Sequence, residues 1–554
     1  MNPQDAMIRS FGRQVIAGLL LALMAIFPGV VLAAAVAPTP PAKSVSPLPP
    51  DSVGGRIVPL RAGADLQAAL NAAKPNDTLV LEAGATWTGN FMLPRRSDSG
   101  WVTIRSSAEG GALPPAGRRV SPNDTAAMPK IVTPNSNPAL TAADGTQGWR
   151  LVGLEFSLIP TWNNVVYHLI GIGWGSGPWG RRVPTDVVAS RFIVERCYIH
   201  GSPAQKVQKG ILANGSDIRI ADSWIDEIHN SGFDSQAILS YDGAGPYLIE
   251  NNELQASSEN IMFGGSDPSG PEYLPSDIVI RRNHIIKPLR WKADDPSYDG
   301  RAWVIKPLIE LKIAQRILIE GNILENSWGW PAFVFDAGGT PGLSWIVVQD
   351  VMFRYNRIIN ATCPWQGWTA NAPIRRVAIL HNLSDEAVEQ KIGNAYTRGA
   401  VGNLLSSKKH PMEDIWIEHN TLTKAARGIT ISGGSFMPRF TMRNNAFPYG
   451  PAVEGHWVWK DPNNPNPNWA VSPIAPDRDI RRNALFGLLS GPGRVVYDDS
   501  EFRILPSPQA AGMNPDGTLQ PTSPLKGAAT DGTDIGVDFV GLGAALGGGS
   551  TGNR

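Results

Sequence analysis

The chain has 554 residues, 42% of them hydrophobic, which is enough to bury a large core; length alone would predict about two to four ordinary domains. Basic and acidic side chains balance at 49 each, so there is no excess of positive charge to follow a nucleic acid, and no nucleic-acid partner is expected. Only Cys197 and Cys363 are present, far apart and outside any CxxC pattern, so neither a disulfide framework nor a zinc site is suggested; 58 glycines and 47 prolines favour short strands joined by turns.

At the N-terminus, Arg9 and Arg13 precede an apolar run from Val15 to Leu32 and the small residues Ala33, Ala34 and Ala35. This predicts an export signal over residues 1–35 and a secreted or periplasmic protein without stable membrane insertion; a retained anchor is the alternative. "APTPPAKSVSPLPP" then reads as a Pro-rich linker over 36–55 that does not pack. In "ADLQAALNAAKP", Leu66, Ala69, Leu70 and Ala73 recur at helical spacing after Asp65, a residue suited to the N-cap, and Pro75 follows the stop. Such a helix would cap an open sheet edge.

Internal repetition overrides the domain count. An alternating apolar pair, two polar residues, Asn, a variable residue and another apolar residue recur in "YLIENNEL", "IVIRRNHI", "ILIEGNIL", "VMFRYNRI", "IWIEHNTL" and "FTMRNNAF". The Asn column is Asn252, Asn283, Asn322, Asn356, Asn382, Asn420, Asn445 and Asn483, with Cys197 and Ser223 in the same place in weaker copies. A unit this short holds no core alone, so its copies must stack, each Asn above the last. The prediction is an all-β chain: a single-stranded right-handed parallel β-helix over 56–540 with a capping helix and long loop insertions, most simply a monomer, ending in a disordered Gly-rich tail over 541–554.

A second alternating run follows most Asn motifs: "KGILAN", "QAILSY", "ENIMFG", "PLIELK", "PAFVFD" and "RGITIS". Aligned on Ile211, Ile238, Ile261, Ile309, Phe333 and Ile429 as inward residues, they send two columns outward. One contains Leu212, Leu239, Met262, Glu310, Val334 and Thr430; the other contains Asn214, Tyr241, Gly264, Lys312, Asp336 and Ser432. Glu310 and Lys312 should face a groove cleared by Gly264 and Gly265, with Asp336 beside Lys312, Tyr241 beyond the glycines, and Asp234 and Gln236 nearby. Asn214 and Gln236 are candidate polar contacts for a substrate. Trp174, Trp179, Trp291, Trp328, Trp330, Trp365 and Trp368 are assigned to Gly- and Pro-rich insertions, where indole faces can stack on sugar rings; Trp291, Trp328 and Trp330 are the leading candidates. His200 and His229 are read as turn residues.

From "LQAALNAAKPNDTLVLEAG" through "WVTIRSS" to "WRLVGLEF", the chain resembles the N-terminal part of secreted β-helix polysaccharide lyases of the alginate lyase and chondroitinase B type, within the pectate lyase-like superfamily. "SPLKGAATDGTDIGVD" is similar to the last coil of many secreted β-helix carbohydrate-active proteins. The resemblance implies β-elimination from a uronic-acid polymer, with Lys312 as base and Ca2+ held by Glu310, Glu259 and Asn260. Where those lyases place an assisting Arg in the next coil, this chain has Asp336, which favours a charged Lys312. An inverting glycoside hydrolase using Asp336 and Glu310 is the alternative, although no "NTD" or "RIK" pattern accompanies them. A non-catalytic polysaccharide-binding module is the third reading.

Overall fold

The computed structural model describes residues 35–49 and 55–547, apart from 97, 175–181, 183–186, 388–389, 393–394, 398, 426, 432–435, 449–474 and 487–501. The expected export signal, but for Ala35, lies outside the described residues, as do Trp179, Ser432 and residues 548–554. No helix among the described residues is long and apolar enough to cross a membrane.

Three all-parallel sheets of 14, 14 and 11 strands wind into a right-handed β-helix. One coil runs Tyr247–Glu250 in the first sheet, Glu253–Ala256 in the second and Ile261–Phe263 in the third. Its successor repeats the path through Ser276–Arg281, His284–Ile286 and Ile309–Leu311. Each strand pairs with its counterpart one coil on, so inward residues form columns: Ile211, Ile238, Ile261, Ile309 and Phe333 are consecutive partners. Such columns build one continuous core, in which Phe333 stacks on Phe353 at 4.6 Å between centroids. Each fully buried Ile or Phe contributes about 1.5–3 kcal/mol.

The Asn column makes the corner between the first and second sheets. The residue before each Asn takes a left-handed conformation, as at Asn251 (φ 53°), Arg282 (55°) and Tyr355 (51°), which turns the chain sharply. Asn Oδ1 then accepts from the backbone N–H and the Nδ2 of the Asn one coil earlier. Asn283 to Asn322 and Asn322 to Asn356 show both bonds at 2.9–3.0 Å. Nδ2 also donates backwards, from Asn322 to the Ile280 carbonyl at 3.0 Å. The ladder thereby satisfies buried turn groups that water cannot reach. Ser223 continues it, accepting from Cys197 N–H at 3.1 Å, and Cys197 is a core residue whose thiol burial pushes up to about 12.

Helix Leu66–Ala72 caps the first coil, with the Asp65 carboxylate accepting from Ala68 N–H and Leu66 and Leu70 buried. Two sequence expectations fail at the other margins. Residues 35–49 do not behave as a free linker: their backbone N–H groups bond to side chains of the first sheet along the stack. The Gly-rich segment is not unstructured from 541, because helix Phe539–Ala545 packs Leu542 beside Leu383 and Val537.

The third sheet also contains strands Trp365–Trp368 and Ala400–Leu405, which the apolar alignment passed over. Trp365 pairs with Phe333 and faces the core, where Gly402 leaves space for its ring. Trp365 and Trp368 therefore belong to a strand and not to an insertion. An aromatic–polar–Gly–aromatic run lacks the aliphatic alternation used to find the others.

Candidate functional site

The outward columns of the third sheet are set by the same register. Glu310 stands between Met262 and Val334, and Lys312, immediately after its strand, precedes Asp336 of the next coil, itself paired with Trp368. Gly264 makes the close approach possible. It has φ 100°, and a Cβ there would lie 2.6 Å from the Ile313 nitrogen and 2.9 Å from the Lys312 Cβ.

Glu310 lies on the outer face but is covered, at 4% exposure. Its Oε2 is 3.5 Å from Lys312 Nζ and makes no hydrogen bond. Burial first, and the neighbouring Glu259 carboxylate second, push Glu310 up to about 8, against the pull of Lys312; its carboxyl is thus largely protonated at neutral pH. Asp336 is also raised by burial, opposed by Lys312, and its Oδ1 is buried without a hydrogen-bond partner.

Glu259 is fully buried one coil earlier, and the Gln236 amide Nε2 donates to Glu259 Oε2 at 2.7 Å. Gln236 therefore positions a carboxylate with one of its two amide N–H groups. Lys306, which sequence reasoning missed, approaches from the loop before strand Ile309–Leu311. Its Nζ is 2.9 Å from Asp234 and 3.8 Å from Glu259 Oε1. Burial pulls the Lys306 ammonium down, but the Asp234 hydrogen bond and the charges of Glu259 and Asp234 carry it above its ordinary value. Its sequence signal was weak because Lys306 precedes the alternating run and lies outside the aligned register.

Several expected site residues have other duties. Asn260 does not face the groove. The N–H groups of Asn260 and Ile261 both donate to the Leu308 carbonyl, a local irregularity that turns two successive residues away from the outer face. Asn260 Nδ2 donates to the Leu254 and Ile286 carbonyls, and its Oδ1 accepts from Lys287 at 3.0 Å. Lys287 is fully buried among the carbonyls of Ala256, Ser258 and Pro307, and burial pulls it to about 7.

Asn214 caps a turn, its Oδ1 accepting from the N–H groups of Tyr241 and Asp242. Tyr241 is half-buried against Leu212, Leu239 and Met262, two coils from Lys312. Trp291 and Trp328 are buried, Trp291 with its edge against His229, so neither presents an indole face to a ligand. Trp330 and Trp368 are exposed at 37% and 45%, and Lys306 Nζ stands 5.9 Å from the Trp330 ring. His200 bonds to Glu155 and His229 to Glu227, both away from the carboxylate pair.

The expected calcium set does not fit as a shell. Asn260 is committed to Lys287, Glu259 Oε1 and Glu310 Oε2 each have a lysine Nζ within 4.0 Å, and the described residues contain no cluster of three acidic, His or Cys side chains able to hold a metal. A cavity of about 900 Å³ at the corner of the first and second sheets is a separate feature, and its Arg219 and Arg282 are paired to Glu250.

No family model and no curated protein matches the chain. Among solved structures, it is similar to a single-residue variant of the PL6 family alginate lyase AlyGC, at 12% identity and TM-score 0.45, covering 87% of this chain and 57% of that one. It is also similar to pectate lyase Pel9A, at 12% identity and TM-score 0.38, covering 87% and 96%. A third similarity is to a polygalacturonase from Erwinia carotovora ssp. carotovora, at 11% identity and TM-score 0.39, covering 71% and 98%. The chain thus spans a little over half the length of the alginate lyase, and its own three sheets establish the parallel β-helix.

Proposed function

We propose that this is a secreted carbohydrate-active protein, a lyase that cleaves a uronic-acid-containing polysaccharide by β-elimination on the outer face of the third sheet. The observation that carries the reading is the Lys312–Glu310 pair, a lysine nitrogen 3.5 Å from a carboxyl that burial keeps protonated. Elimination requires a base for the proton beside the uronate carboxyl and an acid for the departing glycosidic oxygen. Lys312 first releases its ammonium proton to solvent; the amine then takes the C5 proton, and the C–H electrons form the C4–C5 double bond as the C4–O bond breaks. Glu310 gives its proton to the leaving oxygen. Proton transfer from Lys312 to Glu310 then restores the starting pair without a net gain or loss. Lys306 supplies positive charge for the substrate carboxylate, and Trp330 and Trp368 offer faces for neighbouring sugars. No step passes through a metal.

Asp336 supports a second reading, an inverting hydrolase: its buried, unpartnered oxygen could hold a water while Glu310 acts as acid. Digestion of a panel of acidic polysaccharides separates the two. Unsaturated, ultraviolet-absorbing products are expected; reducing ends without that absorbance would replace the lyase reading, and binding without turnover would remove both.

A further inference from the structure

The Pro-rich segment 35–49 runs against the direction of the coils. Ala35 N–H donates to Thr441 near the C-terminal end, and Val36, Thr39, Ala42 and Ser46 donate in turn to Asp414, Asp350, Asp277 and Asp217 at 3.0, 2.8, 2.7 and 2.6 Å. The four aspartates occupy alternate strands of the first sheet, with one strand between each and the next. Two strand spacings are about 9.6 Å. Three residues of polyproline II rise about 9.3 Å and return to the same face of that helix. The donors obey this period at 36, 39 and 42; the last interval, from Ala42 to Ser46, is four residues.

The sequence is arranged for it. Pro38 and Pro41 immediately precede donor residues and are more buried than Thr39 and Ala42, while every donor position keeps its N–H. On the receiving side, each aspartate is held in a left-handed conformation, φ 53° to 58°. Arg316, Arg376 and Arg439 from the intervening coils fix Asp277, Asp350 and Asp414 by ion pairs of 2.6–2.7 Å. Burial opposes the charge on these three carboxylates, but the arginines and strap N–H groups hold them below the ordinary carboxylate range.

We propose that the Asp217–Asp277–Asp350–Asp414 column is a peptide-binding groove for an extended proline-rich segment with a free N–H at every third residue, and that residues 35–49 are its built-in ligand, a clamp along the coil stack. The hydrogen bonds that hold the segment run from Thr441 to Asp217 and join strap backbone N–H groups to sheet side chains, so the association is separable from the ladder itself.

The test uses the full chain with a protease recognition sequence between Pro49 and Gly55, cut after folding. The released strap is expected to remain with the β-helix on gel filtration. The double variant Thr39→Pro/Ala42→Pro removes two donors while preserving polyproline geometry; the strap should then separate, with at least about tenfold faster dissociation. Ala37→Pro/Ser44→Pro, which removes no bonded N–H described above, should retain it. All four positions are on the exposed strap, so coil folding, read by circular dichroism, is unaffected. Loss of the strap from the cut parent, or equal retention in both double variants, would overturn the proposal.

Discussion

Lys312 Nζ lies 3.5 Å from Glu310 Oε2, two residues apart on one outward face, with Asp336 one coil beyond. Glu310 is the more deeply buried partner, so the local chemistry is set by a carboxyl that resists ionisation. The expected consequence is a bipartite dependence: Lys312→Ala and Glu310→Gln should each lower kcat by about 10²–10⁴-fold. Steady-state kinetics on the substrate identified by the polysaccharide panel checks this; unchanged kcat in both would remove the pair from the mechanism.

The same carboxyl makes stability depend on pH. Its folded value of about 8 exceeds the ordinary 4.5, so the folded state holds the proton more tightly, and stability is highest below about pH 4.5 and is lost as pH rises through 8. Lys287, pulled to about 7, adds an opposite slope above pH 7. The difference between parent and Glu310→Gln isolates the first effect. The variant should gain relative stability from pH 5 to 8, by on the order of a few kcal/mol, in denaturant titrations. A constant difference across that range would contradict the assignment.

The aromatic residues should divide by exposure. Trp330→Ala or Trp368→Ala is expected to raise KM about three- to tenfold with kcat little changed, corresponding to loss of about 1 kcal/mol of ring contact. Trp291→Ala and Trp328→Ala should instead lower the thermal midpoint, because they empty buried volume. A KM effect from the buried pair without destabilisation would reverse this division.

The Asn ladder predicts a large penalty for a small change. Asn322→Ala removes the acceptor of the Asn283 N–H, one of the three acceptors of Asn283 Nδ2, and a donor to the Ile280 carbonyl, and should destabilise by about 2–4 kcal/mol. Chemical denaturation measures it; a loss below about 0.5 kcal/mol would mean that water replaces the amide.

Chelation provides a test of the ligand geometry. Because Asn260 is bound by Lys287 and ammonium groups flank both glutamates, a calcium chelator should leave activity and melting unchanged. A chelator-sensitive activity restored by calcium would show that the lysines yield their places.

The fold was legible because a stacked solenoid writes its geometry into the chain. Alternation marked the strands, and the fixed offset of Asn252, Asn283, Asn322 and their counterparts marked the corner, since only a small amide satisfies both its own coil and the next. Ile309, Glu310 and Leu311 could be assigned inward, outward and inward for the same local reason. What sequence could not decide were contacts set by loops and by breaks in alternation: Asn260 turned to Lys287, Lys306 brought to Glu259, Trp291 buried and Trp368 exposed. The Pro-rich segment is the clearest case. Its composition determined an extended chain with sparse N–H groups, but only the tertiary structure placed aspartates on alternate coils, where strand spacing matches its three-residue rise.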